Sequence, residues 1–127
     1  MMKYLLYKGF KLADAAAPYF ELWYLPFDES AEIPQFRPCV NAPATMSDGF
    51  TLFYTSQCPF TAKYVPLLCA AAEKRGVKLT SVHIDTREAA QNAPCPFTTF
   101  SLWHNGNFIT HEIQSVPKFE KIIDGIV

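Results

Sequence analysis

Phe50-Thr51-Leu52-Phe53-Tyr54-Thr55-Ser56-Gln57-Cys58-Pro59-Phe60-Thr61 is a strand-like run that breaks in a Cys-Pro-Phe-Thr turn, and Ala62 to Arg75 follows at once as a helix-like run. Phe50 to Tyr54 is aromatic-rich and suits a strand. The apolar positions Val65, Leu68, Cys69 and Ala72 recur at helical spacing, and Gly76 is a good C-terminal stop. A thiol set between a strand end and a helix start is where thiolate chemistry is expected, because the free N–H groups and dipole of the first turn favour negative charge. Cys58 is therefore the candidate catalytic residue. Pro59 pre-shapes the first turn, and Pro59 and Phe60 are the candidate substrate-binding neighbours. Thr61 Oγ is placed to hydrogen-bond the thiolate or to serve the helix start.

Working outward, Val77 to Ile84 reads as a second strand. Asp85 with Glu88 resembles a capping box for a short helix, Thr86 to Gln91. Thr98 to Trp103 reads as a third strand, joined through the hairpin signal Asn105-Gly106 to a fourth, Phe108 to Ile113. Ser115 can cap a last helix over Val116 to Ile123. The order β-α-β-α-β-β-α implies an α/β fold. Its first two strands are parallel with a right-handed crossover, and the hairpin adds an antiparallel pair. A four-stranded mixed sheet with helices on both faces is expected over residues 48–127.

Before this unit lie two other regions. In residues 1–28, Tyr4 to Phe10 reads as a helix end stopped by Gly9, and Tyr19 to Leu25 as an aromatic strand ended by Pro26. One or two strands without a covering layer are marginal alone. Residues 29–47, with Pro34, Pro38 and Pro43, read as a linker or ordered loop. Cys39 within it is expected to be a partly buried loop cysteine.

Composition narrows the function classes. The formal net charge is −1 with no basic block, which disfavours nucleic-acid binding by phosphate neutralisation. Charged residues make up 18% of the chain, below the usual quarter, and aromatics 15%, which suggests a surface covered by a partner. No apolar run reaches the ~18 residues that span a bilayer. Lys8 and Lys11 interrupt the N-terminal apolar stretch before it could act as an export signal. A reducing cytoplasm is expected, with Cys39, Cys58, Cys69 and Cys95 as free thiols. These cysteines have no zinc-type spacing, and neither do His83, His104 and His111, so no metal and no cofactor are expected. Cys69 falls on the apolar face of the first long helix and reads as core. Phe97, Phe100 and Trp103 read as core or interface.

Three features together resemble the thioredoxin fold: the Cys58-Pro59-Phe60-Thr61 turn, Pro96 just before the third strand, and the Asn105-Gly106 hairpin followed by a terminal helix. The nearer resemblance is to the YoaP-like domain, a thioredoxin-like module found at the C-terminus of acetyltransferases of the GNAT superfamily. Gln57 to Tyr64 and Asn92-Ala93-Pro94 with Pro96 to Phe100 carry it. Tyr7-Lys8-Gly9-Phe10-Lys11 looks like the end of the last GNAT helix, and Tyr19 to Pro26 like the closing strand. By this resemblance Pro96 is the cis-proline facing the active-site turn, with Pro94 the competing placement. Cys95 would then stand beside Cys58 as a neighbouring or resolving thiol. Thr61 occupies the place of a second active-site cysteine, so a Cys-x-x-Cys cycle is not expected. The turn also fits a monothiol glutaredoxin. However, cysteine precedes Pro96 and no Gly-Gly-x-Asp stretch follows, so glutathione binding is not implied.

The GNAT resemblance stops short of a cofactor site. Gly9, Gly49, Gly76, Gly106 and Gly125 are all isolated, and no glycine-rich pyrophosphate turn occurs. The chain is expected to be a fragment or a late-starting gene, without acetyl-CoA binding of the GNAT kind. Two functions follow. One is a thiol module whose Cys58 takes part in thiol–disulfide or thiol-transfer chemistry. The other is a non-catalytic accessory or dimerisation module, with an acetyltransferase domain or a second copy pairing through Tyr19 to Leu25.

Overall fold

The computed structural model describes residues 2–40 and 48–126. Pro43 and the rest of the segment 41–47, read above as linker, lie outside the described residues. Among the described residues six strands and four α-helices follow in order, besides a 3-10 turn at Pro38–Val40: α1 (Met2–Tyr7), β1 (Lys11–Ala16), β2 (Phe20–Tyr24), β3 (Phe50–Tyr54), α2 (Pro59–Lys74), β4 (Leu79–His83), α3 (Arg87–Gln91), β5 (Phe100–His104), β6 (Asn107–Thr110) and α4 (Val116–Ile126). The last seven form an α/β unit around a mixed sheet of order β4-β3-β5-β6. β3 and β4 run parallel, while β3–β5 and β5–β6 are antiparallel.

The register explains the core. Leu52 faces Leu102, and Tyr54 faces Phe100, so Phe50, Leu52, Phe100 and Leu102 share one face of the sheet. Val65, Leu68 and Ala72 of α2 and Phe119 and Ile123 of α4 close over them, and Cys69 packs at the margin. Phe50, Leu52, Leu68, Phe100, Leu102 and Phe119 are fully buried. The opposite face buries Thr51, Ser101 and Trp103, and the indole N–H of Trp103 donates to Ser101 Oγ at 3.0 Å.

Two turns lock the unit. Gly49, at φ +89°, exchanges hydrogen bonds with Asn105: its N–H reaches Asn105 Oδ1 at 2.7 Å, and its carbonyl accepts from Asn105 N at 2.9 Å. Asn105 and Gly106 both have positive φ, as the two-residue hairpin between β5 and β6 requires.

Several boundaries differ from the sequence reading for local reasons. The second strand begins at Leu79, because Val77 N–H still caps the α2 carbonyl of Ala72 at 2.9 Å. The N-cap of α3 is Thr86, whose Oγ1 accepts from Ala89 N at 3.1 Å, rather than Asp85.

The N-terminal region is more ordered than its composition implies. Gly9, at φ +89°, ends α1, with Phe10 N–H returning to Leu5 O at 2.9 Å. Lys11–Ala16 has poor strand propensity yet pairs with Phe20–Tyr24 as a separate antiparallel ribbon with a bulge between Leu12 and Asp14. Tyr19 and Phe20 then dock on the main unit, with ring centroids 6.1 and 5.8 Å from Phe108 and 5.3 and 5.5 Å from His111. The proline-bearing stretch is anchored too. Phe36 N–H donates to Asp14 Oδ2 at 2.9 Å, and the half-buried Cys39 donates to Gln91 O at 3.4 Å. Among the described residues no helix is long and apolar enough to cross a membrane.

Candidate functional site

The site is built where β3 and β4 end side by side. Their parallel register sets Tyr54 opposite His83, and Ile84 N–H continues the ladder to Tyr54 O at 2.7 Å. The chain then turns through Thr55, Ser56 and Gln57 into α2. Cys58 is the N-cap residue of that helix, extended at φ −111° and ψ 126°, with Pro59 at its first position. Its side chain makes no capping hydrogen bond, and it is half-buried. Phe60 is 55% exposed, its ring 6.3 Å from Tyr64.

Thr61 serves the start of the helix through backbone carbonyls. It is buried to 1% exposure, and its Oγ1 lies 2.7 Å from Thr55 O and 2.8 Å from Cys58 O. A hydroxyl has one proton to give, and here it goes to backbone carbonyls. Thr61 therefore braces the turn from below instead of donating to the sulfur, and the N-cap position itself belongs to Cys58.

Pro96 departs from the resemblance, and Cys95 is deeply buried. Among the described residues the cis peptide bond is Ala17–Pro18, so both Cys95–Pro96 and Ala93–Pro94 are trans. The cis-proline expectation at Pro96, and its alternative at Pro94, are overturned. All four cysteines are free. Cys95 is 3% exposed, and burial pushes its thiol pKa up, against a smaller lowering from the Phe97 N–H. It lies within electrostatic reach of Tyr19, whose phenol is pushed up first by burial and then by Cys95 and Glu112. Tyr19 Oη is hydrogen-bonded to His111 Nδ1, and Phe97 packs edge-on against the same imidazole at 5.0 Å. Cys95 thus belongs to the junction between the N-terminal ribbon and the main unit.

The histidines each have a distinct partner. His104 packs against Phe50 at 4.6 Å, and His111 holds Tyr19. His83 stacks on Tyr54 at 4.8 Å and 24°, with Nε2 2.9 Å from Ser56 Oγ. The Ser56–His83 pair escapes a reading by sequence spacing, since the two residues lie 27 positions apart. The signal that could have found it is the parallel register, which puts the residues just past β3 beside the last residue of β4. The pair opens on a cavity of about 470 Å³ that Thr55, Gln57, Asp85, Thr86 and Thr98 also line. Gln57 Oε1 there accepts from Thr99 Oγ1 at 3.2 Å. A second cavity of about 370 Å³, between α1, β2 and the Phe97–His111 contact, is mostly apolar in its lining.

Comparison with known proteins places these features in context. A family model described as YoaP-like matches residues 79–121. Over 116 residues the chain is 41% identical to a protein of Bacillus subtilis (strain 168) described as "Uncharacterized N-acetyltransferase YoaP". That match covers 91% of this chain but 46% of the relative, so the chain spans a little under half of its length. No solved structure matches.

Proposed function

We propose that this chain is an accessory module of a GNAT-type acetyltransferase, whose N-terminal layer docks on an acetyltransferase domain. One observation carries this reading: the large apolar side chains left open to solvent concentrate in residues 2–33. Met2, Tyr4, Leu6 and Tyr7 on α1 are 55, 61, 57 and 83% exposed, and Phe27 and Ile33 are 93 and 60% exposed. Helix α1 buries no residue, although its sequence is mostly apolar. Exposed apolar surface of this density marks an interaction site. The similarity to a protein described as an N-acetyltransferase, of which more than half is unmatched, supplies a partner of suitable kind. Turn glycines for a pyrophosphate are absent from the sequence, so the acetyl donor would be held by the partner domain. The test is titration of the chain with the unmatched part of the Bacillus subtilis relative, produced as a separate polypeptide. The reading expects a one-to-one complex, weakened at least tenfold by Tyr7→Ser with Phe27→Ser. No complex, or one indifferent to these changes, would overturn it.

A second reading attaches to Cys58. Its sulfur makes no capping hydrogen bond at a helix start with proline in the first turn, an arrangement that suits a thiol attacking a disulfide or an electrophile. Pro59 and Phe60 would flank the bound group. The buried Cys95 is poorly suited to resolve a mixed disulfide. Iodoacetamide modification followed by peptide mapping tests this: Cys58 should be labelled well before Cys39, Cys69 and Cys95. Labelling of Cys58 no faster than the others would leave the accessory reading alone.

A further inference from the structure

We propose that Ser56 and His83 form a nucleophile–base pair that accepts short acyl groups from small, uncharged activated esters. The geometry is that of an activated hydroxyl: Ser56 Oγ and His83 Nε2 are 2.9 Å apart, inside the reach that proton transfer needs. Both side chains are exposed, on positions that the backbone sets side by side. His83 is the last residue of β4, and the ring of Tyr54, its register partner on β3, holds the imidazole plane by stacking at 4.8 Å. Ser56 follows β3 by two residues, in a turn that Thr61 ties to α2 through Thr55 O at 2.7 Å.

The cavity in front of the pair suits a small ligand. Its volume of about 470 Å³ is within the usual range of small-molecule sites. Thr55, Gln57, Thr86 and Thr98 line it with the carboxylate-bearing Asp85, and neither lysine nor arginine does. A neutral polar acyl donor therefore fits better than a phosphate or a polycarboxylate. The opening lies beyond the carboxyl ends of two parallel strands, where α/β sheets commonly place their ligands.

In the tautomer that leaves Nε2 as acceptor, His83 takes the proton of Ser56 Oγ as the oxygen bonds to the ester carbonyl carbon. The carbon–oxygen bond to the leaving group then breaks, and the imidazolium returns the proton to the departing oxygen. Water repeats the sequence on the acyl-serine and releases the acid.

The experiment uses the full chain carrying Cys58→Ser, so that the neighbouring thiol cannot take the acyl group, with p-nitrophenyl acetate as probe. Expected is an acetyl group on the peptide containing Ser56, lost in Ser56→Ala and formed roughly 100-fold more slowly in His83→Ala. Free imidazole should restore acylation of Ser56 in His83→Ala, a rescue that a purely structural histidine would not give. Thermal unfolding of each variant confirms that it is folded; if His83→Ala is not, His83→Gln replaces it, with the same loss expected. Acetylation confined to lysine or histidine side chains, or acylation of Ser56 at an unchanged rate without His83, would overturn the proposal.

Discussion

Thr61→Val removes one oxygen from the base of the site and almost nothing else. The side chain is 1% exposed, and its hydroxyl sits 2.7 Å from Thr55 O and 2.8 Å from Cys58 O. Valine keeps the shape and the branch, so no cavity opens. The loss is the cost of leaving a buried carbonyl short of its donor, about 1–3 kcal/mol. Cys58 O keeps the Thr61 N–H at 3.1 Å, so the burden falls on Thr55 O and the total should be about 2 kcal/mol. With a urea slope of roughly 2 kcal/mol/M, the unfolding midpoint should fall by about 1 M. Thr61→Ser keeps the hydroxyl and gives up a methyl group, for a smaller loss of about 0.8 kcal/mol. Urea unfolding followed by circular dichroism gives both numbers. If Thr61→Val were as stable as the parent while Cys58 lost its reactivity, the hydroxyl would serve the sulfur and the bracing role would be wrong.

Phe119→Ala should cost about 3–5 kcal/mol, since the ring is fully buried and packs edge-on at 5.3 Å from Phe50; thermal unfolding measures it. Gly49→Ala should destabilise by more than about 1 kcal/mol, because the new Cβ would lie 2.9 Å from Lys78 O on a backbone at φ +89°. The same measurement checks it, and an unchanged midpoint would contradict it. Cys95 should need a higher pH for alkylation than an unfolded thiol, because burial raises its pKa. The sign for stability follows: the unfolded thiol ionises first, so this contribution is intact below about pH 8.5 and is lost as pH rises. Cys95→Ala should therefore flatten the alkaline fall in the urea midpoint.

The elements with strong periodicity were legible in the sequence. Phe50 to Tyr54, the helix closed by Gly76, and the Asn105-Gly106 hairpin have local signals that agree with their packing. β1 was not, because Lys11 to Ala16 carries alanines and charges and becomes a strand only by pairing with β2. The docking of Tyr19 and Phe20 on Phe108 and His111 was equally invisible, since it joins residues about ninety positions apart. At the site, the helix start at Cys58 could be read from Pro59 and the apolar spacing behind it. The trans bond before Pro96 could not, as an X–Pro bond differs by only about 0.5–1 kcal/mol between its isomers and tertiary context decides. Ser56–His83 needed strand register, which a single sequence does not supply.

Hydrogen exchange of residues 2–24, with and without the unmatched part of the Bacillus subtilis relative, tests the central claim most directly. Docking on α1 and the β1–β2 ribbon predicts that their amides slow by tenfold or more while those of α2 and β3 stay unchanged. Protection confined to the α/β unit, or none at all, would contradict it.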